Sequence, residues 1–195
     1  MNILASILTT SLIILIFSSS CQMGQKNRTS NKKIPKKEII SVPPFNADSA
    51  YKYVAHQVSF GPRVPGSEAH KRCASWLISE LKNFGAEVTV QNFKTRTYDN
   101  VTRNGKNIIA SFNQDVEKRI LLMAHWDSRP YADHDDNAEL HNTPIDGAND
   151  GGSGVGVLLE MARQFQLSSP KVGIDIILFD LEDWGPPFEM QMTSD

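Results

Sequence analysis

Three short apolar runs constrain this chain more than anything else in it: KNIIASF (106–112), RILLMAHW (119–126) and GIDIILF (173–179). Each is rich in bulky or β-branched residues, bounded by polar or turn-forming residues, and fit for a buried strand. EVTVQNF (87–93) alternates as a half-exposed strand does. Helical spacing fills the intervals. A helix is predicted over Ala47–Val58, after the VPPFN break. In a stronger one, Ala69, Cys73, Trp76, Leu77, Leu81 and Phe84 share a face, Ser67 caps the start and Gly85 ends it. GGSGVGVLLEMARQF gives a further helix with a glycine-rich start. Helices alternating with apolar strands imply an α/β fold with a largely parallel, mixed sheet and helices on both faces. The last apolar run reads as a central strand, and the chain stops soon after it.

With 195 residues, 40% of them apolar, the chain is long enough for one core. Charge is unevenly spread. From Gln22 to Val42 six basic residues stand against Glu38, whereas from Pro43 onward fourteen basic face twenty-one acidic residues, a net −7. The acidic part is not a nucleic-acid binder, since phosphate contact needs the opposite sign.

The first twenty residues read as a signal peptide. The apolar stretch from Ile3 to Phe17 is shorter than the roughly 20 residues needed to span a bilayer, and it ends in Ser18, Ser19 and Ser20. Cys21 follows where a bacterial lipoprotein would be cleaved and lipidated. The expectation is therefore export across the inner membrane, a lipid anchor on Cys21, a basic flexible tether over 21–45, and a globular domain over 46–195. An ordinary signal peptide cut nearby is the alternative. Only one other cysteine occurs, Cys73, so no disulfide framework holds the fold, and Cys73 reads as a small core residue.

In open α/β sheets ligands gather beyond the carboxyl ends of the strands. AHWDS (124–128) places His125 and Asp127 at one such end, DGANDGGSG (146–154) places Asp150 at the mouth of a helix, and LEDWG places Glu182 and Asp183 at another. The polar stretch from Asp127 to Asn149 is too long for a mere connector and reads as functional. Taken singly, Asp150 reads as a helix N-cap, His125 as a core histidine with Asp127 as its partner, and Glu182 and Asp183 as a solvated loop start. A phosphate loop is excluded, because Ser153 stands where the lysine of a Walker motif belongs. Taken together, one imidazole and several carboxylates on one sheet edge are the ligand types of a hydrolytic zinc centre. Adjacent strand residues face opposite ways, so Glu182 and Asp183 can address one site only where the chain leaves the strand, which Gly185, Pro186 and Pro187 mark.

FGPRVPGS (60–67), AHWDS, GANDGGSG and FDLEDWG, in this order, resemble the zinc aminopeptidase superfamily, and within it the animal-type glutaminyl cyclases (glutaminyl-peptide cyclotransferases) that bacteria also possess. The resemblance runs from about Ala47 to Gly185. It implies a zinc-aminopeptidase-like fold, incomplete at the C-terminus, with one zinc bound by Asp150 and by Asp183, where many members have Glu. It further implies Glu182 as general acid/base, His125 and Asp127 as supporting residues, and peptides with N-terminal Gln as substrates. The family's last histidine ligand falls beyond Asp195, so the chain taken literally is expected to show little or no activity. Two other readings stand beside the cyclase: a secreted two-zinc aminopeptidase in which His125 binds the second metal, and an inactive tethered fragment.

Overall fold

The computed structural model describes residues 42–191. The expected signal peptide, the expected lipidation site Cys21 and nearly all of the expected tether lie outside the described residues. Among the described residues no helix is long and apolar enough to cross a membrane.

Helix α1 spans Ala47–Ser59 and starts at Asn46, whose side chain accepts the Ser49 amide proton at 2.9 Å. Helix α2 spans Glu68–Asn83. Ser67 caps it as expected, accepting from the His70 N–H, and Gly85 with φ +87° carries the chain out of it. Strands β1 (Glu87–Arg96) and β2 (Thr102–Phe112) form an antiparallel hairpin. β3 (Arg119–His125) leads into the long loop, which holds a single 3-10 turn over Ala138–Leu140. α3 (Gly152–Leu167), β4 (Gly173–Phe179) and the short α4 (Phe188–Gln191) complete the order.

The sheet runs β1-β2-β4-β3, so β4 is central among the described strands, as its largely apolar sequence implies. β3 and β4 are parallel, whereas β2 pairs antiparallel with both β1 and β4. The sheet is thus mixed as expected, but its parallel share is one pairing of three. For β1 and β2 the cause is local: only five residues, 97–101, join them, too few for the crossover a parallel pair needs.

One face of the sheet carries the core. Ile108, Ala110 and Phe112 of β2 lie opposite Leu178, Ile176 and Ile174 of β4, and these six pack with Cys73, Leu77 and Leu81 of α2 and Val155, Leu159 and Ala162 of α3. α1 lies against α3, where Gly156 gives it room: a Cβ there would meet Val54 at 2.7 Å. Cys73 is fully buried, as a core residue should be, and burial pushes its thiol up to about 12. Leu121 and Met123 of β3 project to the opposite face and are exposed. Among the described residues the long helices cover only the first face.

This arrangement decides where the chemistry sits. β3 and β4 are parallel neighbours, with His125 opposite Phe179 in register, so both strands end on the same edge. α3 begins at that edge too. The three segments singled out in the sequence therefore converge.

Candidate metal centre

His125 ends β3 with its ring Nε2 2.9 Å from Asp150 Oδ1. Its Nδ1 lies 3.6 Å from Asp127 Oδ1 and 3.7 Å from Glu182 Oε2, too far for a hydrogen bond. Asp183 is the third member of a group. One ligand atom from each of His125, Asp150 and Asp183 lies within 4.8 Å of the others.

Each side chain has a local reason for its position. Asp150 precedes a sharp turn in which the Gly152 N–H donates to Gly147 O at 3.1 Å. Its reading as a helix cap is not what the structure shows. Gly151, with φ +72°, occupies the cap position without a side-chain hydrogen bond, and Asp150 turns its carboxylate to His125 instead. A side chain at Gly151 would collide with the imidazole, its Cβ falling 2.9 Å from His125 Cε1. The glycine thus gives both the left-handed backbone and the clearance.

Glu182 and Asp183 separate as the strand exit requires. Asp180 turns its carboxylate inward, accepting the Lys106 and Leu181 N–H groups and meeting His70 Nε2 at 2.9 Å. Leu181 then takes φ +62°. Beyond it Glu182 faces outward, its side chain 61% exposed, while that of Asp183 is 12% exposed. The Asp183 N–H donates to Asp127 Oδ2 at 3.2 Å, which ties the two strand exits together. Arg129 holds the segment from the other side. It grips Asp133 through two short hydrogen bonds, donates to Pro186 O at 3.0 Å, and brings Nη1 to 3.8 Å from Asp183 Oδ1.

Four carboxylates, Asp127, Asp150, Glu182 and Asp183, surround one imidazole, and the titration behaviour reflects it. Burial, then Asp150 and Asp127, push Asp183 up to about 6 against the pull of His125 and Arg129. His125 is raised to about 9, by Asp127 first and then by Glu182 and Asp150, against the opposing effect of burial. Without a metal, the imidazolium is the positive charge between the carboxylates. Even so, one imidazolium does not balance four carboxylates, and His125 Nδ1, Asp127 Oδ1 and Asp183 Oδ2 are buried with no hydrogen-bond partner. Orphaned buried donor atoms and excess negative charge are what a divalent cation relieves, and a nitrogen–oxygen donor set suits zinc. The residues therefore fit the metal that the sequence implies.

Sequence reasoning pointed to His125, Asp127, Asp150, Glu182 and Asp183, and the structure brings all five to one edge. It did not reveal Arg63, the His70–Asp180 pair, or Arg129 with Asp133. The FGPRVPGS motif contained a signal, since an arginine among apolar and turn residues invites the question of what it binds. Nothing in the sequence pairs His70 with Asp180, which lie 110 positions apart.

Residues 107–186 match the model of Peptidase family M28. A zinc-dependent exopeptidase of Parabacteroides distasonis is 59% identical, with a TM-score of 0.75 over 76% of this chain and 51% of that one. The glutaminyl cyclase of Tannerella forsythia is 55% identical, with a TM-score of 0.74 over 75% of this chain and 50% of that one. The glutaminyl-peptide cyclotransferase of Drosophila melanogaster is 27% identical over 138 residues, 64% of this chain and 35% of the fly protein. The chain thus spans about half the length of these solved structures and about a third of the fly protein.

Proposed function

We propose, for a chain that shares the fold of zinc-dependent exopeptidases and glutaminyl cyclases and carries the Peptidase family M28 pattern over residues 107–186, that it is the metal-binding and proton-handling part of a glutaminyl-peptide cyclotransferase. Asp150 and Asp183 would hold one zinc ion, with His125 as the third donor of the group. The observation that carries this reading is the division between two adjacent carboxylates: Asp183 is turned into the ligand group and Glu182 stands free at its edge. When bound, zinc supplies Lewis-acid polarisation of the side-chain amide carbonyl of an N-terminal Gln.

The substrate's α-amine then attacks its own side-chain carbonyl carbon. A five-membered ring closes as the new C–N bond forms and the bond to the amide nitrogen breaks. Because nucleophile and electrophile belong to one residue, proximity already lowers the barrier. The Glu182 carboxylate takes the proton that the amine sheds and returns it to the departing nitrogen, which leaves as ammonia. Its exposure lets it reach a substrate arriving from solvent. The substrates are peptides with N-terminal Gln. The resemblance of FGPRVPGS and EDWG favours the cyclase, and the similarity to the Tannerella enzyme agrees with it. Delivery to the bacterial envelope through a lipid on Cys21 is a separate proposal and rests on the leader sequence alone.

The second reading is an aminopeptidase with two zincs, favoured by one specific observation: His125, which would bind the second metal, lies 2.9 Å from Asp150 at the same edge. The two differ in product. The chain, loaded with zinc, is incubated with a Gln-initiated peptide and the products are weighed. A cyclised N-terminus with loss of ammonia, abolished in Glu182→Gln, supports the cyclase. Release of free Gln establishes the peptidase, and no product assigns the chain to the inactive-fragment reading.

A further inference from the structure

Arg63 is completely buried, yet no carboxylate hydrogen-bonds to its guanidinium. It donates instead to three backbone carbonyls: Nε to Trp126 O at 3.1 Å, Nη1 to Asp146 O at 2.7 Å and Nη2 to Gly147 O at 2.8 Å. Its own carbonyl accepts the Ser128 N–H at 3.2 Å. Burying a guanidinium is costly, and burial indeed lowers its pKa from the ordinary value. A residue placed so must be doing something that a smaller, neutral donor cannot do.

The three acceptors show what that is. Trp126 follows His125 directly. Asp146 and Gly147 lie at the far end of the long loop, just before Asp150, and Gly147 O is the carbonyl that also accepts the Gly152 N–H in the turn carrying Asp150. One planar fork therefore joins the two ends of a twenty-residue excursion. Lys has a single point of attachment and Gln offers two donors, so neither spans three carbonyls from two segments. The closure is tight: a Cβ at Gly147 would lie 2.8 Å from Ser128 Cβ and 2.9 Å from Arg63 Nη2, and Gly147 has φ +58°.

We infer that Arg63 is a positioning residue for the metal centre, setting the spacing of His125 and Asp150 by pinning both ends of the loop between them. The inference rests on the metal-centre reading above. It assigns a task to the FGPRVPGS motif that the catalytic proposal leaves unused.

The test is zinc affinity of the full chain, measured by competition with a chromophoric chelator, with folding followed separately by circular dichroism and thermal melting. Arg63→Lys is expected to fold and to bind zinc about 10-fold or more weakly, as for other residues that orient metal ligands. Arg63→Ala is expected to regain part of its zinc affinity on addition of methylguanidinium, a recovery that general destabilisation does not produce. Gly147→Ala keeps the charge but strains the same closure, and it is expected to weaken zinc binding in the same direction should Arg63→Lys fail to fold. A folded Arg63→Lys, or failing that a folded Gly147→Ala, with affinity within twofold of the unsubstituted chain overturns the inference. If the folded, unsubstituted chain itself binds no zinc, the metal-centre reading fails first and takes the inference with it.

Discussion

His125 and Asp150, twenty-five residues apart, meet at 2.9 Å across the gap between the end of β3 and the start of α3. Neither position is set by its own element alone. β3 ends where it does because its parallel neighbour β4 ends there. Asp150 reaches His125, its side chain still 60% exposed, because Gly151 and Gly152 let the chain double back before the helix begins. The pair is a product of sheet topology and a glycine turn.

The raised pKa of His125 makes metal binding proton-linked. Its ordinary value is 6.5 and its folded value about 9, so near neutral pH the metal-free imidazole is protonated. A dication bound between Asp150 and Asp183 expels that proton. Zinc affinity should therefore climb with pH and level off above 9, with about one proton released per zinc near neutral pH. Calorimetry in buffers of different ionisation enthalpy counts the protons. The metal-free fold gains stability from the same group below pH 6.5 and loses it as pH rises through about 9.

Asp183 trades stability for metal binding. Its carboxyl, raised from 3.8 to about 6, is ionised at neutral pH in surroundings that disfavour the charge. The metal-free protein therefore holds this contribution in full below pH 3.8 and loses it as pH rises through about 6. Asp183→Asn should stabilise the metal-free chain by about 1–2 kcal/mol at pH 7, a figure reduced for partial solvent screening. The same substitution should weaken zinc binding by at least about tenfold, as loss of a ligand charge requires. Thermal melts with and without zinc will show the two effects in opposite directions.

Glu182→Gln should separate catalysis from binding. The side chain is exposed and lies 3.7 Å from His125 Nδ1 without a hydrogen bond, so the fold should be kept and zinc affinity should change only modestly. Turnover should fall by about 10²–10⁴, the usual worth of a positioned proton acceptor. Zinc content measured on the same samples as the rate guards against loss of metal.

The His70–Asp180 pair should matter to stability far more than its distance from the chemistry suggests. His70 and Asp180 side chains are 6% and 0% exposed, and Asp180 also satisfies the Lys106 and Leu181 N–H groups. Asp180→Ala leaves all three without a partner and should cost about 3–5 kcal/mol, measured by urea unfolding of the metal-free chain.

Much of this was legible from residue order. The apolar runs marked β2 and β4 as buried strands and β3 as a strand, although β3 lies at the edge of the described sheet with Ile120, Leu121 and Met123 exposed, and Ser67 and Gly85 marked the ends of α2 because capping is local. His125, Asp150, Glu182 and Asp183 stood out because strand ends in α/β sheets collect ligands. The sense of β2 was not legible from its apolar pattern, since a buried strand looks alike whichever way its neighbours run. Asp150 reads as a cap in isolation, and only the Gly151 backbone and the nearness of His125 show otherwise. Arg63 and Asp180 escaped for a common reason: their partners are distant in sequence and are mostly backbone groups, which every residue carries.

The central claim is that His125, Asp150 and Asp183 form a metal centre, and counting bound zinc tests it most directly. The chain is dialysed to equilibrium against buffered zinc, beside a variant with Asp150 and Asp183 both replaced by Ala, and metal is measured by atomic absorption. The account predicts one zinc per folded chain and none on the variant. A folded chain that takes up no zinc, or a variant that holds it equally well, would contradict the account.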